Sequence, residues 1–385
     1  SAFMVAFELK TKQDIQDFAT GCCFFGCGGG GDPEAGIVAL TEVLEKGKPL
    51  QVTSFDDLKD DDTYASVFLM GSIAPKTDEI IAKQKRNGVP VDPPYSPQEM
   101  LSKSLDVLEE YTGKKISALF AIELGGGNSC MPMSVGFDKG LTYIDADAAG
   151  RAYPQMTQAL PLVMDKPCLP VAIVNGYGDT NILTRCVNSQ MIERNGKMLA
   201  DSGFGMVAHA CYIMSGKEVK DALVPGTLSQ CFKIGKTIRE ANEVGKDPVA
   251  AAAEAAGGYV LAKTKMVKKE GKTIDGLYYG TLELEGVDEF AGNTYKLWFE
   301  NEYHVMWKNG KPWITSPDIV QCVDTKTCHP LTNTVIEVGD FVSIVGVPAR
   351  EQYNSGKPFS VMNPRYYDFE FDHVPMAEVL RQENA

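Results

Sequence analysis

Between residues 25 and 36 the chain reads Phe25-Gly26-Cys27-Gly28-Gly29-Gly30-Gly31-Asp32-Pro33-Glu34-Ala35-Gly36, a glycine density that few local structures tolerate. Glycine loses more conformational freedom on folding than any other residue. A folded chain keeps four in a row where the backbone needs φ > 0 or must lie against another backbone. Apolar periodicity places a helix on each side: Ile15, Phe18, Ala19, Cys22 and Cys23 line one face before the loop, and Ile37, Leu40, Val43 and Leu44 line one after it. Thr11 and Asp14 supply a capping box for the first helix, and Pro33 suits the first turn of the second. Such a loop either presents N–H groups to an anion or polarised carbonyl, or lets two helices pack closely at a tight turn.

The same punctuation recurs downstream. Residues 116–122 form a continuous apolar run, as in a buried parallel strand, and lead into Glu123-Leu124-Gly125-Gly126-Gly127-Asn128. A helix over about 129–139 and a strand over 141–144 follow, ending at Asp145-Ala146-Asp147-Ala148-Ala149-Gly150-Arg151. This strand, loop, helix, strand unit carries polar residues at each strand end, where ligands collect in open α/β sheets. The two glycine loops should therefore be neighbours at a shared crevice. Further strands are read at 50–53, 65–70 and 169–175, and helices at 79–85, from Ser96-Pro97 to Gly113, from Thr227, and from Asp247-Pro248 to Gly257. Several prolines, among them Pro75, Pro90, Pro93 and Pro94, mark 72–97 as a long excursion.

Beyond Gly258 the period changes from helical to alternating: Leu282, Leu284, Tyr295, Leu297 and Phe299 alternate with charged residues, and Asn309-Gly310 signals a hairpin. The reading is an α/β domain over 1–258 with a mostly parallel sheet, a β-rich domain over 259–345, and a tail over 346–385 returning to the first. A formal net charge of -14 with no dense basic cluster argues against nucleic acid as a partner. No apolar run approaches the roughly 18 to 20 residues of a membrane span, and no signal peptide is read at the start. The ten scattered cysteines lack CxxC or zinc-finger spacing, which points to a reducing, cytoplasmic setting.

The common motifs of hydrolases and kinases are missing: there is no GxSxG, Walker or HExxH sequence, and the four histidines lie far apart. What remains is a carboxylate set, Asp32, Glu123, Asp145 and Asp147, beside glycine-rich turns, with Asn128 and Arg151 alongside. Such a set suits a divalent metal, a general base or a ligand's N–H groups; alternatively it caps helices and pairs with Arg151. Cys27 and Cys130 lie in or beside these loops, as reactive thiols near helix N-termini or as small space-filling residues.

Four motifs, in this order, resemble the S-methyl thiohydantoin desulfurase family: Gly26-Cys27-Gly28-Gly29-Gly30-Gly31-Asp32-Pro33, Glu123 to Asn128, Asp145 onward to Ala152-Tyr153-Pro154, and Pro225-Gly226-Thr227-Leu228-Ser229. The similarity runs from about Leu9 to Pro375 and includes Pro317-Asp318-Ile319. Where members usually carry threonine, this chain has Cys27. The resemblance implies a two-domain enzyme acting on a five-membered cyclic amide or thioamide, with hydrolytic loss of sulfur. It makes Glu123 and Asp147 the catalytic candidates. Gly28, Gly29, Gly30, Gly31, Asp32, Gly125, Gly126, Gly127, Asn128, Asp145 and Arg151 become substrate-binding candidates. A divalent metal is one possible cofactor, and the partners expected are a small cyclic amide or thioamide and further copies of the chain. The alternatives are hydrolysis of a hydantoin or lactam ring amide, and a non-catalytic ligand-binding partner of a hydantoinase-like protein. The cysteine reading is checked by thiol titration of denatured, unreduced protein: ten reactive thiols are expected, and a lower count would reveal disulfides.

Overall fold

The computed structural model describes residues 4–71 and 77–385; Pro75 of the proline-rich excursion lies outside the described residues. The first sheet comprises β1 (Val5–Glu8), β2 (Gln51–Thr53), β3 (Thr63–Gly71), β4 (Ala118–Ala121), β5 (Thr142–Asp147), β6 (Val171–Asn175), β7 (Thr180–Leu183), β8 (Met206–Ser215) and β9 (Val224–Pro225). Their order is β1-β2-β5-β4-β3-β8-β6-β7, with β9 on β5. The run β2-β5-β4-β3 is parallel, and antiparallel strands extend it on both sides. This α/β class is the one read from the sequence. β5 continues to Asp147, so Asp145 and Asp147 lie in the strand and not in the loop after it. β6 pairs antiparallel with both its neighbours.

The helices α1 (Lys12–Phe24), α2 (Pro33–Glu45), α3 (Asp78–Arg86), α4 (Pro97–Thr112) and α5 (Gly126–Asp138) precede a later one, Thr227–Glu243, that packs along α1. Local chemistry fixes their starts. The Thr11 hydroxyl accepts from Asp14 N at 3.0 Å while the Asp14 carboxylate accepts from Thr11 N, and Ser96 and Glu99 repeat the arrangement for α4. Gly113 ends α4 in the left-handed region. The axis between α1 and the helix Thr227–Glu243 is unusually tight. A β-carbon on Gly21 would fall 1.6 Å from the Cys231 carbonyl oxygen, and one on Gly235 would fall 1.6 Å from that of Asp17. Asp17, itself buried, also takes Arg239 Nε at 2.9 Å.

The second sheet is antiparallel throughout, in the order β14-β13-β12-β11-β10-β16-β15. Its strands are β10 (Tyr259–Ile274), β11 (Leu277–Gly286), β12 (Thr294–Glu300), β13 (Glu302–Lys308), β14 (Lys311–Thr315), β15 (Ile319–Asp324) and β16 (Phe341–Val347). Asn309 and Gly310 both take positive φ in the β13–β14 hairpin, as its right-handed twist demands. The core under the first sheet's helices continues into Ile319, Val323, Val345 and Val347, so the two sheets share buried apolar surface. After β16 the chain divides its contacts. Tyr353 bonds Gln158 of the first sheet's side at 2.7 Å, whereas Met376 of the last helix, Met376–Glu383, packs in the second core. Among the described residues no helix is long and apolar enough to cross a membrane.

The crossing of α1 with Thr227–Glu243 sets a test whose sign opposes helix propensity. Glycine to alanine in a helix interior ordinarily stabilises by about 1 kcal/mol. Here Gly21→Ala and Gly235→Ala should each destabilise by about 1–3 kcal/mol, because the methyl group meets backbone that cannot swing aside. Urea unfolding of each variant measures this, and a gain in stability would show that the helices are free to separate.

Candidate active site

The two glycine loops are spatial neighbours, and they touch backbone to backbone. A β-carbon on Gly30 would fall 2.6 Å from the Gly125 α-carbon, one on Gly126 would meet Pro33, and one on Gly127 would meet Asp32. Gly30 takes φ +85°, a region in which glycine alone is at ease. Its carbonyl oxygen accepts from Gly127 N at 3.2 Å and Asn128 N at 2.9 Å, so α5 begins inside the second glycine loop and its first N–H groups are spent on the first. Gly29 N donates to Gly26 O at 2.8 Å, and Gly125 N donates to the Ser129 hydroxyl at 2.9 Å. Among the described residues the N–H groups of Gly28, Gly30 and Gly31 meet no acceptor. Two open surface clefts lie elsewhere, both on the second sheet. One of about 490 Å³ on the second sheet is lined by Asp288, Asp324, Asp340 and Phe341.

The second sheet closes over the first loop. Tyr303 N donates to Cys27 O at 2.9 Å, and Asn333 N donates to Gly28 O at 2.8 Å. β12 and β13 are joined through Asn301 alone, at φ 55°, and this reversal delivers Glu302 onto Gly29. A β-carbon on Gly29 would lie 1.9 Å from Glu302 Oε2, so a side chain there would displace that carboxyl. Glu302 is 3% exposed, and its Oε1 has no hydrogen-bond partner. Burial, and then the neighbouring charge of Glu123, raise its pKa well above the carboxylate range. Nothing in the local sequence marks Glu302; the alternation of its strand would leave it a surface residue.

Glu123, two residues past the end of β4, accepts from Asn128 Nδ2 at 2.5 Å and from Tyr153 N at 3.4 Å. Burial outweighs these bonds and pushes its pKa up to about 7. Asp147 is fully buried. Its Oδ2 accepts from Ala149 N at 3.0 Å and Gly150 N at 2.7 Å, and desolvation pushes its pKa up to about 6 against these bonds. Asp145, two residues earlier, accepts from Ser229 N at 2.9 Å and from its hydroxyl at 2.5 Å, which caps the helix Thr227–Glu243 from a neighbouring strand. Asp32 is exposed and caps α2, accepting from Glu34 N at 3.0 Å. It stands outside the group around Gly29.

Arg151 is buried and forms no ion pair among the described residues. Its guanidinium donates to the carbonyl oxygens of Ala152, Tyr303 and Asp318 and to the Ser316 hydroxyl, at 2.9–3.4 Å, and so reaches from β5's loop into the second sheet. Cys27, at φ 52°, lies amid Arg151, Glu302, Arg350 and Glu123; burial pushes its thiol up to about 11. It is therefore a neutral thiol at ordinary pH, bonded to Phe25 O at 3.3 Å. The ten cysteines are all unpaired.

The sequence profile of the S-Me-THD-like N-terminal domain matches residues 13–185, and that of the S-Me-THD-like C-terminal domain matches residues 187–376. The chain belongs to the S-Me-THD-like family. A crystal structure of a protein from Chromobacterium violaceum superposes with a TM-score of 0.77 over 96% of this chain and 100% of that one, at 21% identity, a likeness of fold. No curated protein matches the sequence significantly. The family division falls inside the first sheet: this S-Me-THD-like chain draws β8, β9 and the helix Thr227–Glu243 from its C-terminal family domain. The expectation of the S-methyl thiohydantoin desulfurase family is met at the level of family and fold.

The raised Glu123 pKa makes folding stability depend on pH with a definite sign. A carboxyl near 4.5 when unfolded and near 7 when folded binds more protons in the folded state between those values. Its stabilising contribution is complete below about pH 4.5 and is lost as pH rises through 7. Glu123→Gln keeps the Asn128 contact and cannot ionise, so its thermal midpoint should fall less than the parent's between pH 5 and pH 8. Parallel melting curves for the two proteins would refute the buried, proton-holding description of Glu123.

Proposed function

We propose that this chain hydrolytically removes sulfur from a thiohydantoin-type five-membered ring, releasing a thiol. The observation that supports it best is the buried Glu302 carboxyl, without a hydrogen-bond partner on Oε1, set against Gly29 and within the field of Glu123. Two carboxyls whose environments push their pKa values apart suit the two halves of one proton transfer. Glu302, its pKa raised well above the carboxylate range by burial and by the charge of Glu123, is the member suited to give a proton; Glu123, near 7, is poised to accept one.

The chemistry balances simply. Water attacks the ring carbon that carries sulfur; Glu123 takes a proton from the water, and the carbon–sulfur bond breaks. Glu302 gives its proton to the departing sulfur, which leaves as a thiol, and the remaining hydroxyl proton passes to the adjacent ring nitrogen as the ring carbon becomes a carbonyl. Proton exchange through solvent resets the two carboxyls. The unengaged N–H groups of Gly28 and Gly30 flank Gly29, against which Glu302 lies, and would stabilise negative charge that develops on the ring. Arg151 holds the second sheet against the loop, and Asn128 orients Glu123. Among the described residues no group of three or more His, Cys, Asp or Glu is arranged to hold a metal ion, so no step is routed through one.

Turnover of an S-methyl thiohydantoin, followed by thiol release and separately by ring opening, tests the reading. Glu302→Gln and Glu123→Gln should each lower thiol release by roughly 100-fold or more. The thermal midpoint of Glu123→Gln near pH 6 should stay close to the parent's, since a carboxyl with a pKa of about 7 is largely neutral there. Near-normal thiol release in both variants would remove these residues from the chemistry. Ring opening without thiol release would transfer the activity to amide hydrolysis, and saturable binding without either product would favour a binding module.

A further inference from the structure

Three polar atoms near the end of β5 are buried and have no hydrogen-bond partner: Asp147 Oδ1, Thr227 Oγ1 and Arg350 Nη2. They come from three separate segments: the last residue of β5, the first residue of the helix Thr227–Glu243, and the loop after β16. Buried polar groups are nearly always paired, so three unpaired ones together call for a ligand-side explanation. The rest of each group is firmly held. Asp147 Oδ2 is fixed by Ala149 N and Gly150 N. Arg350 Nε donates to Gly150 O at 3.0 Å and Nη1 to Gln230 Oε1 at 2.7 Å, while the guanidinium lies 4.7 Å over the Phe25 ring. Asp147 and Arg350 thus grip the same residue, Gly150, from its two sides, yet no ion pair closes between them.

Asp147 is the middle member. The Thr227 hydroxyl and the Arg350 charge both act on its carboxylate, although neither makes an aligned hydrogen bond to it. Asp145 takes the Ser229 N–H, so the helix end is already capped and the Thr227 hydroxyl is left over. The trio therefore offers a donor, an acceptor and a donor.

We propose that Arg350, Asp147 and Thr227 form a recognition edge for a cyclic amide, accepting a ring N–H at Asp147 and donating to the ring oxygens beside it from Arg350 and Thr227. The complement of donor, acceptor, donor is an N–H between two carbonyls, the imide edge of a hydantoin. The inference rests on the function proposed above and adds to it which edge of the ring is bound. In a thiohydantoin one of the two flanking positions carries sulfur, so one donor faces a carbonyl at the start and the other meets the oxygen that replaces sulfur. Cys27 lies in the field of both Arg350 and Glu123. Arg350 is only partly exposed and its Nη2 is buried, and it reaches the trio from the loop after β16.

Calorimetric titration with hydantoin, succinimide and N-methylsuccinimide tests the edge without any turnover. Succinimide keeps the imide N–H, and its N-methyl form lacks it. Hydantoin and succinimide should bind the parent protein, and N-methylsuccinimide should bind at least 10-fold more weakly, because a site built to hydrogen-bond a group rejects the analogue without it. Thr227→Val and Arg350→Met should each weaken succinimide 10-fold or more and leave the N-methyl form unchanged. Equal affinity for the two succinimides overturns the proposal, whether or not a variant folds. Failure of all three to bind assigns the three atoms to internal water and overturns it too. Imide-selective binding with no thiol release would keep the edge and reject the desulfurisation; thiol release with unselective binding would do the reverse.

Discussion

Everything at the candidate site depends on one backbone contact, Gly30 against Gly125. Side chains at either position would drive the loops apart, and Gly30 also requires positive φ, so the sequence carries glycine at both. Because Gly30 O receives Gly127 N and Asn128 N, the same contact starts α5 and sets the direction in which Asn128 leaves the chain. Asn128 then fixes Glu123. A glycine run that at first suggests an open anion cradle is thus chiefly a joint between two loops, with Gly28 and Gly30 N–H left over on its free side.

The joint is incomplete without the second sheet. Cys27 O and Gly28 O are satisfied by Tyr303 N and Asn333 N, and Arg151 spends its guanidinium on acceptors from β13 and the β15 start. Burying Arg151 among neutral oxygens, and Glu302 without a bond on Oε1, costs folding free energy that better-matched pairs would save. Natural chains keep such unfavourable groups most often where chemistry uses them. The electrostatics point the same way: desolvation raises Glu123, Asp147 and Glu302 together, while the two guanidiniums nearby, Arg151 and Arg350, hold no carboxylate as a direct partner among the described residues.

Much of this was legible in the residues. Capping boxes at Thr11 and Ser96, the stop at Gly113, the Asn309-Gly310 hairpin and the change of period near Gly258 are local signals, and the structure follows them. The apolar run before Glu123 led correctly to a buried strand beside β5. Less was legible where partners come from afar. β8 is a buried run whose pattern suits helix and strand equally, and its central place is decided by β3 and β6. Glu302 and Arg350 drew no notice in the sequence, because what buries them is distant in the chain: Gly29 for Glu302, and Phe25, Gly150 and Gln230 for Arg350.

Asp145 and Asp147 show where reading a sequence reaches its limit. They are two residues apart on one strand, point to the same side, and are the same amino acid, so no local rule separates them. Their difference comes from residues 224–230 folding back across β5. Val224 pairs with Asp147 and Gly226 N reaches Asp145 O, which brings Ser229 over Asp145 and Thr227 over Asp147. Ser229 presents both an N–H and a hydroxyl, and Asp145 is fully satisfied by them. Thr227 is the first residue of its helix, its hydroxyl acting on Asp147 without an aligned hydrogen bond, and the Arg350 charge acts on the same carboxylate with no ion pair formed among the described residues. One aspartate thereby becomes a helix cap and the other keeps an open oxygen. The register of a two-residue strand, β9, decides which is which.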